Sequence, residues 1–205
     1  AIGEPRIAKD PITGLVGLEF EPDRTNYAPD SGDVQGTANY TALSFYLQVT
    51  DNAGTGADNT SSMNLLQCSA SFGAPTVDID IPAGVPDDSR VIVSMDCKVS
   101  GGGGNWYRAQ LKSRDTTTTN SYVYFDISGD GAVGQIDTGD LDALYASVTP
   151  LENNVVRIAC GFNISSGSTT PKFIFSQRTG DGGAAASPGD QTGGSDGLLV
   201  DALQV

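Results

Sequence analysis

The segment Ser121-Tyr-Val-Tyr-Phe-Asp-Ile-Ser-Gly-Asp-Gly-Ala-Val-Gly134 constrains this chain more than any other. Val123, Phe125 and Ile127 fall on one side of a two-residue period, and Tyr122, Tyr124 and Asp126 fall on the other. A half-buried strand has that period, whereas a helix repeats every ~3.6 residues. Ser128-Gly129-Asp130-Gly131 then supplies residues that accept the positive φ of a hairpin turn. The segment reads as strand, turn and second strand.

The same alternation recurs along the chain. Thr41–Thr50 places Leu43, Phe45, Leu47 and Val49 on one face, and Thr76–Ile81 does the same with Val77, Ile79 and Ile81. Val91, Val93, Met95, Cys97 and Val99 share a face, as do Val156, Ile158, Cys160, Phe162 and Ile164. In Trp106–Lys112 the inward set is Tyr107, Ala109 and Leu111, and the outward set is Trp106, Arg108, Gln110 and Lys112. Met63–Phe72, Lys172–Gln177 and Gly197–Val205 also read as strands, while Leu141–Val148 fits a short helix or a strand. Asp51–Ser62 is a polar loop, and Thr179–Asp196 a long loop of small residues. About ten strands with turn signals at short intervals predict an all-β fold: an antiparallel β-sandwich of jelly-roll type over residues 31–205. Residues 1–30 carry Pro5, Pro11, Pro22 and Pro29 and leave room for at most one short strand, Leu15–Phe20. They read either as an arm that docks on a partner or as an edge strand of the same domain.

Composition removes several function classes. Among 205 residues, 11 are basic and 25 acidic, a net charge of −14. Phosphate-backbone binding runs on clustered Lys and Arg, so nucleic acid is not an expected partner. An anionic membrane surface is disfavoured by the same sign. No apolar run approaches the ~20 residues that span a bilayer, so membrane insertion is not expected. There is no histidine, which excludes Ser-His-Asp and Cys-His nucleophile pairs within the chain. The three cysteines, Cys68, Cys97 and Cys160, lack Cys-x-x-Cys spacing and read as buried thiols, with one bridge left open.

Two constellations carry chemistry. Asp126, Ser128, Asp130, Gly131 and Asp137 fall at positions that a calcium-binding EF-hand loop uses for oxygen ligands and its sharp turn. The strand-like residues before Asp126 favour an Asp/Gly-rich hairpin turn instead, and calcium stays open as a cofactor. The second constellation is Trp106, Arg108 and Gln110 on one strand with Tyr122 and Tyr124 on the next. Aromatic rings pack on the apolar faces of sugars while amides and guanidinium groups bond the hydroxyls. If the two strands pair, these five residues form one glycan-binding patch. With no nucleophile elbow or phosphate loop, and with acids scattered in Gly-rich loops, the chain is not expected to be an enzyme.

Several segments together resemble a module of tailed-phage virion proteins. Gly17-Leu-Glu-Phe-Glu-Pro-Asp-Arg-Thr-Asn26 is similar to a leader that precedes jelly-roll, carbohydrate-binding-like domains in tail fibres and head spikes. Val91–Val99, Trp106–Leu111, the Tyr124-Phe-Asp-Ile127 … Gly131-Ala-Val-Gly134 hairpin, Asn154–Cys160 and Ser195–Val205 follow in the module's order. Two of its tryptophans are replaced, one by Val155 or Val156 and one by Val200. The resemblance implies a virion surface location, as a capsid decoration protein, head spike or tail-fibre component. It also implies other virion proteins as partners through the N-terminal arm, a homo-oligomer such as a trimer, and contact with cell-surface or environmental glycans. The alternative is a free-standing carbohydrate-binding module, with or without calcium.

Overall fold

The computed structural model describes residues 6–9, 16–19, 42–43, 47–60, 63–68, 76–80, 90–101, 104–112, 120–137, 143–163, 172–184 and 197–204. These form strands joined by turns, with one 3-10 turn at Glu152–Asn154. The strands are β1 (Arg6–Lys9), β2 (Val16–Glu19), β3 (Ala42–Leu43), β4 (Leu47–Gly54), β5 (Met63–Cys68), β6 (Thr76–Asp80) and β7 (Arg90–Ser100). They continue as β8 (Trp106–Lys112), β9 (Asn120–Asp126), β10 (Ala132–Asp137), β11 (Ala143–Pro150), β12 (Val156–Asn163), β13 (Lys172–Arg178) and β14 (Gly197–Gln204).

Two six-stranded antiparallel sheets hold most of them. One has the order β10-β9-β8-β13-β6-β3, and the other β11-β12-β7-β14-β5-β4. Within them, eight strands pair in nested fashion: β5 with β14, β6 with β13, β7 with β12 and β8 with β9. First pairs with last, and so on inward, as if one long hairpin were rolled up. Rolling then sets β14 beside β7 and β13 beside β8. That is the winding of a jelly roll. Strands β3, β4, β10 and β11 widen the two sheets at their edges.

The alternating residues of both sheets meet in one core. Tyr107, Ala109, Val123, Phe125, Phe173 and Phe175 come from the first sheet, and Val91, Val93, Met95, Cys97, Val156, Ile158, Cys160 and Phe162 from the second. Tyr107 and Phe175 stack there with ring centroids 5.2 Å apart. Burial of this set is the main favourable term in holding the sheets face to face. Cys97 and Cys160 are free thiols inside it; the side chain of Cys68 lies outside the described residues. A smaller cluster of Met63, Leu65, Val155 and Leu199 forms on the outer face of β5 and β14, with Ala57 and Leu151 packed on it. Asn153 Nδ2 clamps the loops above that cluster by donating to the Gly56 carbonyl at 2.8 Å.

The structure differs from the sequence reading in several places. Thr41–Thr50 is two strands, because β3 pairs with β6 in one sheet and β4 with β5 in the other. Alternation persists through a change of sheet and so conceals it. β4 continues to Gly54 through a bulge, with Asn52 at a φ of 52°, so the first residues of the expected polar loop are strand. Asn tolerates that conformation. From Ala143 onward the ambiguous segment is strand β11, and Leu141 and Asp142 lie outside the described residues. In the N-terminal region two strands form rather than one, pairing Arg6 with Glu19 and Lys9 with Val16. Pro5 and Pro11 flank β1 without interrupting it.

Candidate functional site

Strands β8 and β9 are paired, with Arg108 opposite Tyr124 and Gln110 opposite Tyr122. Because Tyr107, Ala109, Val123 and Phe125 point into the core, Trp106, Arg108, Gln110, Tyr122 and Tyr124 share the outer face of the first sheet. The structure therefore brings all five together. The Arg108 guanidinium carbon sits 5.2 Å from the Tyr122 ring centroid, a cation–π arrangement. Tyr122 and Tyr124 meet edge to face at 5.6 Å. Arg108 Nη2 donates to Gln110 Oε1 at 2.6 Å.

The five are not equally accessible. Trp106, Arg108 and Tyr122 are half-buried, while Gln110 is only 6% exposed and Tyr124 only 4%. The turn after β13 explains the burial of Tyr124. Its hydroxyl lies 3.5 Å from the Gly183 carbonyl, to which it donates. Asp181 Oδ1 accepts the Gln135 backbone N–H at 2.6 Å, which fastens the turn to β10. Gly183 N–H donates to the Gly180 carbonyl at 2.9 Å, closing the turn on itself. A side chain at Gly134 would run into Asp181 and would sit 2.6 Å from Trp106 Cζ3, so glycine is what lets the indole lie close to β10. The expected flat platform of five contacts is thus a partly roofed face: Trp106, Arg108 and Tyr122 reach solvent, and Gln110 and Tyr124 support them.

Strand β13 adds residues that sequence reasoning missed. It pairs with β8, setting Arg178 opposite Trp106 and Ser176 opposite Arg108. Arg178 Nη2 donates to Ser176 Oγ at 2.9 Å. The local signal existed, since Ile174, Ser176 and Arg178 alternate with Phe173, Phe175 and Gln177. Only the long-range pairing of β13 with β8 puts them beside Trp106.

The oxygen-rich loop takes the hairpin form. Asp126 Oδ1 accepts from Ser128 N–H at 2.9 Å and from Ser128 Oγ at 2.6 Å. Gly131 N–H donates to the Ser128 carbonyl at 2.9 Å, and Gly129 and Gly131 take φ values of 56° and 71°. Asp126 faces Ala132, whereas Asp137 faces Tyr122. Four residues along a ladder separate the backbones of the two residues by about 13 Å. Asp126, Ser128, Asp130 and Asp137 therefore do not converge as an EF-hand loop would require. Asp137 instead bonds the Tyr122 hydroxyl, which pushes the Tyr122 pKa up.

The chain matches no family model, and no curated protein aligns with it significantly. Among the described residues no helix is long and apolar enough to cross a membrane.

Proposed function

We propose that this chain is a non-enzymatic virion surface protein whose jelly roll presents a saccharide-binding face built on Trp106, Arg108 and Tyr122. The observation that carries the binding reading is the pairing of β8 with β9, which gathers the aromatic and planar polar groups on one outer face. Half-buried rings supply the apolar surface a sugar ring packs on, and the guanidinium supplies donors for its hydroxyls. The nested strand pairing supports the virion half, since the jelly roll serves both capsid and lectin domains. The ordered set of phage-like segments supports it further. Fold likeness alone does not assign function; the virion role rests on those segments, with residues 1–30 as the anchor and a homo-oligomer as the working assembly.

The test is a glycan array on the purified chain and on Trp106→Ala. An aromatic anchor at a binding site is worth about 2 kcal/mol, roughly a 30-fold loss of affinity. Unchanged binding by the variant, with an unchanged melting temperature, refutes the face. The virion half is tested by incorporation: particles assembled with a chain lacking residues 1–30 should not carry it.

A free-standing carbohydrate-binding module is the second reading; the adjacent strands β8, β9 and β13 of a single sheet carry every face residue. Light scattering separates the two. A stable oligomer supports the virion reading, and a monomer that binds sugar supports the module. The spread of Asp126 and Asp137 along the ladder gives the calcium-dependent form of that module little support.

A further inference from the structure

Basic residues are scarce in this chain, 11 against 25 acidic, yet two arginines share the face. Arg178 pairs with Trp106 and Arg108 with Ser176, so the arginines are diagonal neighbours across β8 and β13. Such neighbours stand about 7–8 Å apart at the backbone, within reach of long side chains. Both are half-buried. Burial, and after it the charge of Arg108, lowers the Arg178 pKa from its ordinary value.

Among the described residues neither guanidinium forms a salt bridge. The hydrogen bonds of Arg108 and Arg178 go to Gln110 and Ser176, both uncharged. The Nε of each is buried and has no hydrogen-bond partner. Among the described residues the salt bridge is Arg157–Asp96, on the other sheet. Among the described side chains three carboxylates border the face, and none forms a salt bridge with either arginine. Asp126 is held by Ser128, Asp137 by Tyr122, and Asp181 by the Gln135 N–H. Two like charges withdrawn from water without a counterion are costly, and an anion placed between them offsets both desolvation and repulsion. The planar guanidinium fork suits carboxylate, sulfate and phosphate oxygens.

We propose that Arg108 and Arg178 form an anion-binding subsite within this face, so that its ligand is an acidic saccharide. The sugar ring packs against Trp106 while its carboxylate, sulfate or phosphate lies across the two guanidinium groups. This inference rests on the saccharide-binding reading and narrows its substrate class.

The experiment uses the full chain on an array of uronate, sialylated, sulfated, phosphorylated and neutral glycans. Calorimetry follows with tetragalacturonate and its carboxyl-reduced tetragalactose counterpart, which differ only at C6, a carboxylate in one and a hydroxymethyl group in the other. The expected result is that array binding concentrates on acidic members and weakens with added salt. Tetragalacturonate should bind at least about tenfold more tightly than the reduced form, the worth of one charge-assisted contact. Arg108→Ala and Arg178→Ala should each erase that preference, and the uronate, sulfate and phosphate arms say which anion is favoured. Arg178→Lys, which keeps the charge, and a thermal melt of each variant separate lost binding from lost folding. Equal affinity for the acidic and reduced tetramers overturns the anion subsite but leaves the saccharide face standing. Acidic binding that survives Trp106→Ala undiminished overturns the face. No binding anywhere on the array overturns both.

Discussion

Two glycines in the β9–β10 turn allow the sandwich edge to be probed by a difference. Gly129 and Gly131 both take positive φ, 56° and 71°. A Cβ on Gly129 would meet nothing within 4 Å, whereas one on Gly131 would run into Val148 and would lie 3.2 Å from both Val156 Cγ1 and the Asp126 carbonyl oxygen. Val148 and Val156 belong to β11 and β12 of the opposite sheet. Gly131 therefore marks where the turn of one sheet is pressed against the face of the other. Alanine at either site carries the left-handed backbone penalty of about 1–2 kcal/mol. It also gains about 0.4–1 kcal/mol from a stiffer unfolded chain. Those two effects are common to both variants and largely cancel when they are compared. What remains for Gly131→Ala is the collision, worth about 1–3 kcal/mol for overpacking against a closed core. For a chain of this size about 1 kcal/mol shifts Tm by 2–4 °C, so Gly131→Ala should melt roughly 2–12 °C below Gly129→Ala. Calorimetry of the two variants side by side checks it. Equal melting temperatures refute the close approach of the two sheets at this edge.

Two further outcomes follow from the same structure. The Tyr122 pKa is raised, first by its hydrogen bond to Asp137. A raised value means the folded state favours the protonated phenol, so the contribution is present below the unfolded value of about 10 and is lost as pH rises through the folded one. The difference in ultraviolet titration between wild type and Tyr122→Phe should be centred above the ordinary tyrosine value, and a difference centred at or below it refutes the hydrogen bond. Burial pushes the Cys97 and Cys160 thiols up, with Asp96 adding to the effect at Cys97. Neither should react with a water-soluble thiol reagent in the native state at pH 8, and both should react after denaturation. Rapid native labelling of either, located by peptide mapping, refutes its place in the core.

What the sequence makes legible is set by the range of its signals. Period-two alternation is local, so the inward sets around Val91–Cys97, Tyr107–Ala109, Val123–Ile127 and Val156–Phe162 are readable and are buried in the core. The β8–β9 pairing is also readable, because the two strands are consecutive. Alternation carries no record of which sheet a strand joins. That is why β3 and β4 merge into one expected strand and why Arg178 is not seen beside Trp106. Nor does it reveal a roof. Tyr124 and Gln110 alternate as polar-face residues should, yet they are buried, Tyr124 under the turn that Asp181 and Gly183 lay against the sheet. The spacing of Asp126 and Asp137 fits a calcium loop on paper because sequence distance ignores the direction of a ladder. Once β9 and β10 pair, the same spacing carries the two carboxylates apart.

Under the proposed resemblance to a phage module, Val155 or Val156 and Val200 stand in place of tryptophan, and their positions bear on where binding resides. Val155, Val156 and Val200 are all buried, at 0%, 0% and 6% exposure. Val156 and Val200 sit on β12 and β14 and contribute to the central core, while Val155 joins the smaller cluster with Met63, Leu65 and Leu199. None is on the sheet that carries Trp106, Arg108 and Tyr122. A tryptophan at these sites would fill interior volume, so valine there changes packing and leaves the candidate face intact. The outward aromatics are what a ligand could meet, and they lie on the opposite sheet, beside two arginines that form no salt bridge among the described residues. A loss of binding on mutation should therefore follow Trp106 and Arg178, and a loss of stability should follow Val156 and Val200.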